Sequence, residues 1–387
     1  MKYAFKKIDI AAPFPTRQCG HSSQTEKLSV YHDPLYARVT GFQKEDCWII
    51  HLSLDLLAFD LNSRNELQEH LRNYYHNEKI HVITSTTHTH YANDVRDPQY
   101  VEYLLDLLKK EIVMMEYRET GALTVSFQKI HTQAVGRSRI SGYETNHEYL
   151  GLIRFYEEKK NFLNLLYCNC HPTILQANVP YFSAEYPGYV LKKLEDTYKD
   201  ASFTFVQGAA GDISSRFVRS GQDYEALKEL GDHLYEQVIT LMNDETEKEP
   251  LCLDYQEYPF TYEHEFTPID LSNIRSDLSD REKETIAIGQ KVRAEMESKG
   301  SVLFGTPSQE VIISTLNLGP VKLLFFPNEI FTEYMNYLDD KTLLVSYSNG
   351  YGPYVLPPDF AYVTYEMFTD TLTKQTKERL ISLFQTI

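Results

Sequence analysis

The amino-acid sequence predicts an α/β protein whose core is a mixed, largely parallel β-sheet covered by helices. Short apolar runs of strand length alternate along the chain with longer segments of helical periodicity, as they do in proteins of this class. Polar residues follow directly after five of the apolar runs, which puts a candidate site at the carboxyl ends of the strands. All 387 residues are expected to form one domain.

Seven segments are predicted to be strands because they are short and apolar. In chain order they are Cys47–Leu54, Ile80–Thr84, Leu163–Cys168, Phe203–Gln207, Val311–Leu316, Val321–Phe326 and Leu343–Tyr347. The fifth and sixth flank a Gly-Pro turn and are predicted to form a hairpin, which adds antiparallel pairing to the sheet. The predicted helices are Ser63–His76, Pro98–Tyr117, Tyr189–Tyr198, Tyr224–Met242 and Met367–Phe384.

The segment at about 265–305 is charged and helix-prone, and it has few apolar residues to anchor it, most clearly between Asp270 and Lys299. It is predicted to be an exposed helical excursion from the domain. The alternative is a lid over the active site, because mobile covers are often drawn from such weakly anchored segments.

Composition and charge limit the classes of partner. The chain has 38 Lys and Arg against 55 Asp and Glu, a net charge of −17, whereas nucleic acids and anionic membranes attract clustered positive charge. No apolar run approaches the ~20 residues that cross a bilayer, and the N-terminus lacks the apolar stretch of a signal peptide. The five cysteines are not spaced as a disulfide framework. We therefore expect a cytoplasmic protein without nucleic-acid binding or stable membrane insertion. The sequence does not indicate whether the protein is a monomer or an oligomer.

Side chains that suit a binding or catalytic site follow five of the predicted strands. The segments are 85–90, 169–173, 208–214, 327–329 and 348–354. Since ligands of open α/β sheets sit beyond the carboxyl ends of the strands, we expect these segments to meet.

The most specific local motif is His88-Thr89-His90. In an extended segment residues two apart project to the same side, so both imidazoles are able to face one metal ion. A pair of hydrogen-bonded loop histidines is the alternative. His171 and Glu329 favour the metal, because a catalytic zinc usually has three protein ligands and an open position. Two histidines and a carboxylate also suit iron or manganese.

The segment from Gln207 to Ser214 is rich in small residues, but it lacks the GK[ST] ending of a P-loop and the GxGxxG spacing of a dinucleotide site. Its small residues are expected to let the backbone approach the site closely. Ser214 is predicted to be a hydrogen-bond donor rather than a covalent nucleophile, because a metal-activated water makes a serine nucleophile unnecessary.

In this order, the motifs resemble the N-terminal catalytic domain of the neutral ceramidases. That family shows THTHSGP, N-R-S-P, H-P-[TV]-S followed by SAD-x-x-GY, G-D-V-S-P-N, P-G-E-x-x-T, and N-x-Y-x-x-Y-x-T with a downstream YE. The corresponding segments here are 86–91, 136–139, 171–173 with 183–189, 211–215, 327–332, and 349–354 with 365–366. The match spans most of the chain.

The resemblance implies a zinc ion held by two histidines, a glutamate and a tyrosine. Carried over by motif, these are His88, His171, Glu329 and one tyrosine of the segment 349–354, with Tyr354 preferred over Tyr351. The resemblance also implies catalytic roles for three further residues. His90 would be the base or a substrate contact, Arg137 would stabilise the developing oxyanion, and Ser214 matches a serine regarded as essential in the family.

The expected function is hydrolysis of an amide (N-acyl) bond by a metal-activated water, in a small-molecule or lipid-like substrate. Tyr91-Ala92-Asn93 replaces SGP, Glu185 replaces the aspartate, and Ser215-Arg216 replaces Pro-Asn. The additional C-terminal domain of ceramidases has no counterpart before Ile387, so we expect a substrate smaller or more soluble than ceramide. The alternative is a non-catalytic metal- or ligand-binding protein on a degenerate hydrolase scaffold.

Overall fold

The structure is a computed structural model that describes residues 1–20, 25–299 and 308–387. It combines strands and helices in a mixed α/β architecture, which confirms the predicted class. The strands are β1 (Lys2–Asp9), β2 (Tyr36–Lys44), β3 (Cys47–Leu54), β4 (Ile80–Thr86), β5 (Arg118–Glu119), β6 (Leu123–His131), β7 (Arg137–Ser138), β8 (Tyr149–Glu157), β9 (Lys160–Cys168), β10 (Ser202–Gln207), β11 (Ile213–Ser214), β12 (Glu249–Pro250), β13 (Asp254–Glu263), β14 (Ser308–Asn317), β15 (Lys322–Phe325), β16 (Asn328–Ile330), β17 (Thr342–Val345) and β18 (Gly352–Val355). The helices are α1 (Leu61–Tyr75), α2 (Pro98–Val113), α3 (Glu185–Thr197), α4 (Tyr224–Asn243), α5 (Asp280–Lys299), α6 (Tyr365–Thr369) and α7 (Lys374–Phe384).

Three sheets carry the fold. Their strand orders are β4-β3-β2-β1-β5, β10-β9-β8-β6-β12 and β13-β14-β15-β17. Helices α1 and α2 pack on the first sheet, and α3 and α4 pack on the second. A further apolar cluster contains residues of all three sheets, among them Ile83, Leu165 and Phe325. This shared core fixes the sheets against one another and therefore fixes the relative positions of their strand ends.

The expectation of a largely parallel sheet is wrong. Among the described strands nine pairs are antiparallel and four are parallel. The cause lies in short connections, because a two-residue loop joins only antiparallel strands. Glu45 and Glu158 begin two such loops with φ of 57° and 54°, and neither loop has the Asn-Gly or Asp-Gly signal of a common hairpin turn.

The seven predicted strands all exist, with small changes at their ends. The strands that prediction missed, such as β1, β2 and β13, have polar residues interspersed among their apolar ones and do not form a continuous apolar run. The predicted helix over 367–384 is two helices, α6 and α7. The helix is interrupted between them, because the Thr373 side chain accepts a hydrogen bond from the Thr376 backbone N–H and caps the start of α7.

Helix α5 lies in the segment predicted to be an excursion or a lid; residues 300–305 of that prediction lie outside the described residues. Its buried side chains pack on the domain, where Ile286 meets Val363 and Phe368. The Arg293 guanidinium donates a hydrogen bond to the carbonyl of Thr267 at 2.8 Å. Helix α5 is thus seated on its neighbours, and its movement as a lid stays a prediction.

No helix in the described part of the chain combines the length and apolar character that crossing a membrane requires. All five cysteines are free thiols.

Candidate metal centre

The predicted strand ends meet at one place. His88 follows β4, His171 follows β9, and Glu329 lies in β16, beside Tyr354 of β18. Isolated backbone bridges tie the segments together, including one between His171 and Ser214. The site therefore lies where strands meet, as the sequence predicted, but the strands belong to different sheets and not to one.

His88 is held rigidly. Its backbone adopts φ of 62°, a left-handed conformation that is uncommon outside glycine. The Nδ1 atom lies 2.8 Å from the carbonyl oxygen of Leu57, and the ring stacks on Tyr347 with 3.9 Å between centroids. Because a carbonyl oxygen only accepts, Nδ1 carries the proton of the neutral ring, and Nε2 of that tautomer has the lone pair.

His171 is oriented in the same way. Its Nδ1 atom donates to the carbonyl oxygen of Ala210 at 2.8 Å, so Nε2 of the neutral ring carries the lone pair. Burial and the nearby charge of Arg139 lower the pKa of His171 to about 4. The ring is therefore neutral at pH 7, which is the state in which histidine binds metals.

Glu329 closes the cluster. One carboxylate oxygen, Oε2, lies 3.1 Å from Nε2 of His171 and 3.5 Å from Nε2 of His88. A cation held between these atoms would keep Glu329 ionised. All three facing atoms are buried and lack a hydrogen-bond partner in the described chain. Three acceptors that face one another are stabilised by a cation, and two imidazole nitrogens with a carboxylate suit zinc.

His90 is the third imidazole of the cluster. One nitrogen each of His88, His90 and His171 lies within 4.8 Å of the others. His90 is less buried than the other two and lines the adjoining cavity. Gly20 packs against its ring at φ of 104°, and a Cβ atom there would come within 2.7 Å of the imidazole. The close approach of this glycine holds the ring at the cavity wall.

The two candidate tyrosines occupy different positions. The hydroxyl of Tyr351 donates to Oε1 of Glu329 at 2.5 Å. The ring of Tyr354 lies parallel to that of His171 with 6.5 Å between centroids, and the Arg139 guanidinium lies 5.2 Å from the Tyr354 ring centroid. Of the two hydroxyls, that of Tyr351 therefore contacts a candidate ligand directly.

Arginine 137 is not brought to the cluster. It is exposed, it lies over the ring of Phe217, and it does not line the cavity. Arg139 lines the cavity instead, where its guanidinium donates to the carbonyl of Gly211 at 2.7 Å and pairs with Glu366 at 2.9 Å. Its Nε atom is buried without a hydrogen-bond partner among the described residues. Sequence reasoning missed Arg139, because only the distant partner Glu366 distinguishes it from Arg137.

Ser214 lies at the cavity wall, next to His171 in the backbone bridge. Its hydroxyl accepts a hydrogen bond from the backbone N–H of Arg216 at 3.3 Å. The preceding Asp212 is fully buried and accepts from the backbone and the hydroxyl of Thr332 at 2.8 and 2.7 Å. These bonds tie the 211–214 segment to the chain that follows Glu329.

A cavity of about 1380 Å³ opens beside the cluster. His90, His171, Ser214 and Glu329 form part of its wall, and side chains of α5 form another part. Its volume is above the range of about 300 to 1,000 Å³ that is typical of small-molecule sites.

Comparison with solved structures identifies the fold. The crystal structure of neutral ceramidase from Pseudomonas aeruginosa matches with a TM-score of 0.74 at 15% identity, over 99% of this chain and 73% of that chain. A ceramidase complexed with C2 matches with a TM-score of 0.74 at 14% identity, over 99% of this chain and 74% of that chain. No family model and no curated protein matches the sequence. The resemblance read from the motifs is confirmed at the level of architecture, and the chain has a neutral-ceramidase-like fold.

Proposed function

We propose that this protein is a zinc-dependent hydrolase that cleaves the amide bond of an N-acyl substrate. The observation that carries the proposal is the convergence of three buried acceptor atoms, the Nε2 atoms of His88 and His171 and Oε2 of Glu329. The ceramidase-like fold supports the same chemistry by analogy alone, since a fold does not fix a function.

His88, His171 and Glu329 would hold the ion, with Tyr351 as the fourth group. We prefer Tyr351 to Tyr354 because its hydroxyl already contacts the Glu329 carboxylate. When bound, such an ion polarises a carbonyl and makes water nucleophilic at neutral pH. The carbonyls of Leu57 and Ala210 fix both imidazoles in the tautomer that ligation needs.

The remaining chemistry belongs to side chains at the cavity wall. His90 would take the proton from the attacking water and return it to the leaving amine, a role that suits an imidazole near neutral pH. Arg139, oriented by Glu366, would donate to the oxyanion that develops on the scissile carbonyl. Arg139 replaces Arg137 in this role because its guanidinium lines the cavity. Ser214 would contribute a hydroxyl to the same wall without acting as nucleophile.

We further propose that residues 1–387 act as one catalytic domain and that the protein works in the cytoplasm. The free state of all five cysteines supports a reducing compartment. Recovery of the protein in an extracellular or membrane fraction of its native cells would contradict this location.

Elemental analysis and an amidase assay test the function together. Wild type is expected to retain about one zinc per chain and to hydrolyse N-acyl amides, while Glu329→Gln loses both properties. Glu148→Gln is the matched control. Glu148 is equally buried, its carboxylate lies 3.0 Å from Nε2 of His131, and neither residue lines the cavity. A wild type that takes up no metal, or that binds zinc but hydrolyses no amide, would overturn the proposal in favour of a binding protein.

A further inference from the structure

The cavity beside the metal centre is lined by charged side chains of both signs, with six carboxylates among them. Six arginines contribute to its wall, and no lysine of the described chain does. They are Arg96, Arg139, Arg216, Arg219, Arg275 and Arg281. Arginine differs from lysine in presenting a planar fork of donors that matches a carboxylate.

Four of these arginines are already neutralised by carboxylates of the protein. Arg139 pairs with Glu366, Arg281 with Glu284, Arg275 with Asp277 and Arg96 with Asp94, at distances of 2.6 to 2.9 Å. Their charges therefore contribute little net attraction for an anion that enters the cavity.

Arg216 and Arg219 differ, because neither forms an ion pair within the described residues. Arg216 uses Nη1 to donate to the carbonyl of Arg139 at 3.3 Å. Arg219 uses Nη1 to donate to the carbonyls of Thr173 and Ile174 at 2.7 and 3.4 Å. Each guanidinium thus spends one nitrogen on the backbone, which fixes its position and leaves the other donors of its fork for a ligand.

The charges of these two side chains are also poorly compensated. Burial lowers the pKa of both guanidinium groups and outweighs the opposing effect of nearby carboxylates, Glu366 and Glu282 at Arg216 and Glu185 at Arg219. An arginine at such a position remains charged, so the protein keeps two partly buried cations beside the reaction centre. A bound anion would relieve this cost.

Arg216 lies close to the chemistry along the chain as well as in space. It follows Ser214 by two residues, and its backbone N–H donates to the Ser214 hydroxyl. It also stands at a position where the ceramidase motif has asparagine. The same cavity has an apolar wall, formed by side chains such as Leu175, Ile286, Val292 and Val363. The site therefore joins a hydrocarbon surface, a hydrolytic centre and two cations.

We propose that the substrate is an N-acyl amino acid whose carboxylate is bound by Arg216 and Arg219. This inference rests on the proposed amidase function and specifies its substrate. The acyl chain lies on the apolar wall, the amide lies at the metal centre, and the carboxylate on the amine side of the amide receives the two guanidinium forks.

Three substrates with one acyl chain test the inference. N-lauroylglycine carries a carboxylate, N-lauroylethanolamine is its neutral counterpart, and N-lauroyl-O-phosphoethanolamine carries a phosphate. We expect wild type to prefer N-lauroylglycine to the neutral amide by at least tenfold in kcat/KM. Arg216→Gln and Arg219→Gln should each lower kcat/KM for N-lauroylglycine by about 10- to 100-fold, the usual loss for a hydrogen bond to a charged group. Arg379→Gln removes an exposed arginine outside the cavity and is the matched control.

The outcomes separate this inference from the function on which it rests. Equal hydrolysis of the glycine and ethanolamine amides would overturn the carboxylate site and leave the amidase intact. Preference for the phosphate-bearing amide would overturn the carboxylate assignment. If no amide is hydrolysed, calorimetric titration with N-lauroylglycine still decides the inference. Binding to wild type that weakens at least tenfold in Arg216→Gln supports it, and absence of binding refutes it.

Discussion

The Nε2 atom of His171 lies 3.1 Å from Oε2 of Glu329, and both atoms are acceptors when the imidazole is neutral and the carboxyl group is ionised. The His171 proton is on Nδ1, where it is bonded to the carbonyl of Ala210. This arrangement is unfavourable for the isolated side chains and favourable around a cation.

The first prediction concerns the sign of a stability change. Glu329→Gln should abolish metal binding, since losing even an outer-shell partner costs roughly 10- to 100-fold in affinity. With excess chelator, however, the variant should be more stable than wild type, because the new amide N–H donates to His171 and relieves the facing acceptors. Thermal unfolding of both proteins with and without chelator checks this. A variant that is equally destabilised under both conditions would contradict the proposed clustering of acceptors.

The second prediction separates the two tyrosines. Tyr351→Phe removes the hydroxyl that contacts Glu329 and should weaken zinc binding by about tenfold or more. Tyr354→Phe should keep zinc affinity within about threefold of wild type, since losses of that size are below those seen for outer-shell ligand partners. Competition with a colorimetric zinc chelator measures both affinities. The reverse order would reinstate Tyr354 as the ligand.

The third prediction separates the two arginines. Arg139→Gln should lower kcat by about 10² to 10³, the usual cost of losing one oxyanion donor, with zinc content unchanged. Arg137→Gln serves as the comparison, because Arg137 is exposed over Phe217 and lies outside the cavity. Steady-state kinetics on an N-acyl amide give both values. A loss of turnover in Arg137→Gln alone would refute the reassignment.

The fourth prediction concerns acid stability. Burial lowers the pKa of His51 to about 4, and its Nε2 lies 2.8 Å from the Ser85 hydroxyl. Between about pH 6.5 and 4 the unfolded chain therefore binds a proton that the folded chain excludes. The contribution of His51 to the free energy of unfolding is complete above pH 6.5 and is lost as the pH falls. Between pH 7.5 and 5 this amounts to about 2 kcal/mol.

His51→Gln keeps a polar group for Ser85 but cannot titrate. Between pH 7.5 and 5, the free energy of unfolding of this variant should fall by about 2 kcal/mol less than that of wild type. Urea unfolding in the presence of chelator measures this difference without a contribution from metal binding. Parallel pH profiles for the two proteins would mean that His51 does not titrate as expected.

The sequence indicates which side chains come together where a residue follows a continuous apolar strand. His88, His90 and His171 come directly after β4 and β9, whose apolar runs are unambiguous, and the structure groups their nitrogens. Prediction was weaker where position depends on contacts distant in sequence. Arg137 and Arg139 lie two residues apart, and Arg139 is distinguished by its ion pair with Glu366, which is distant in sequence.

The sheet was harder to predict than the site. The sequence does not reveal that Glu45 and Glu158 adopt left-handed conformations in tight loops, because glutamate rarely does so. Strands β2 and β3, and likewise β8 and β9, therefore pair antiparallel through connections without a recognisable turn signal. The register of these pairs depends on packing in the shared core rather than on local propensity.

Both imidazole protons of the candidate metal ligands are bonded to main-chain oxygens, those of Leu57 and Ala210. A main-chain oxygen is present whatever residue occupies the position, so mutation of those two residues leaves the partner in place. Variation among descendants of this protein can therefore alter the basicity of the candidate ligands chiefly through Glu329, whose partner Tyr351 is a side chain. Under selection or directed evolution for a different metal ion, we therefore expect substitutions at residue 351.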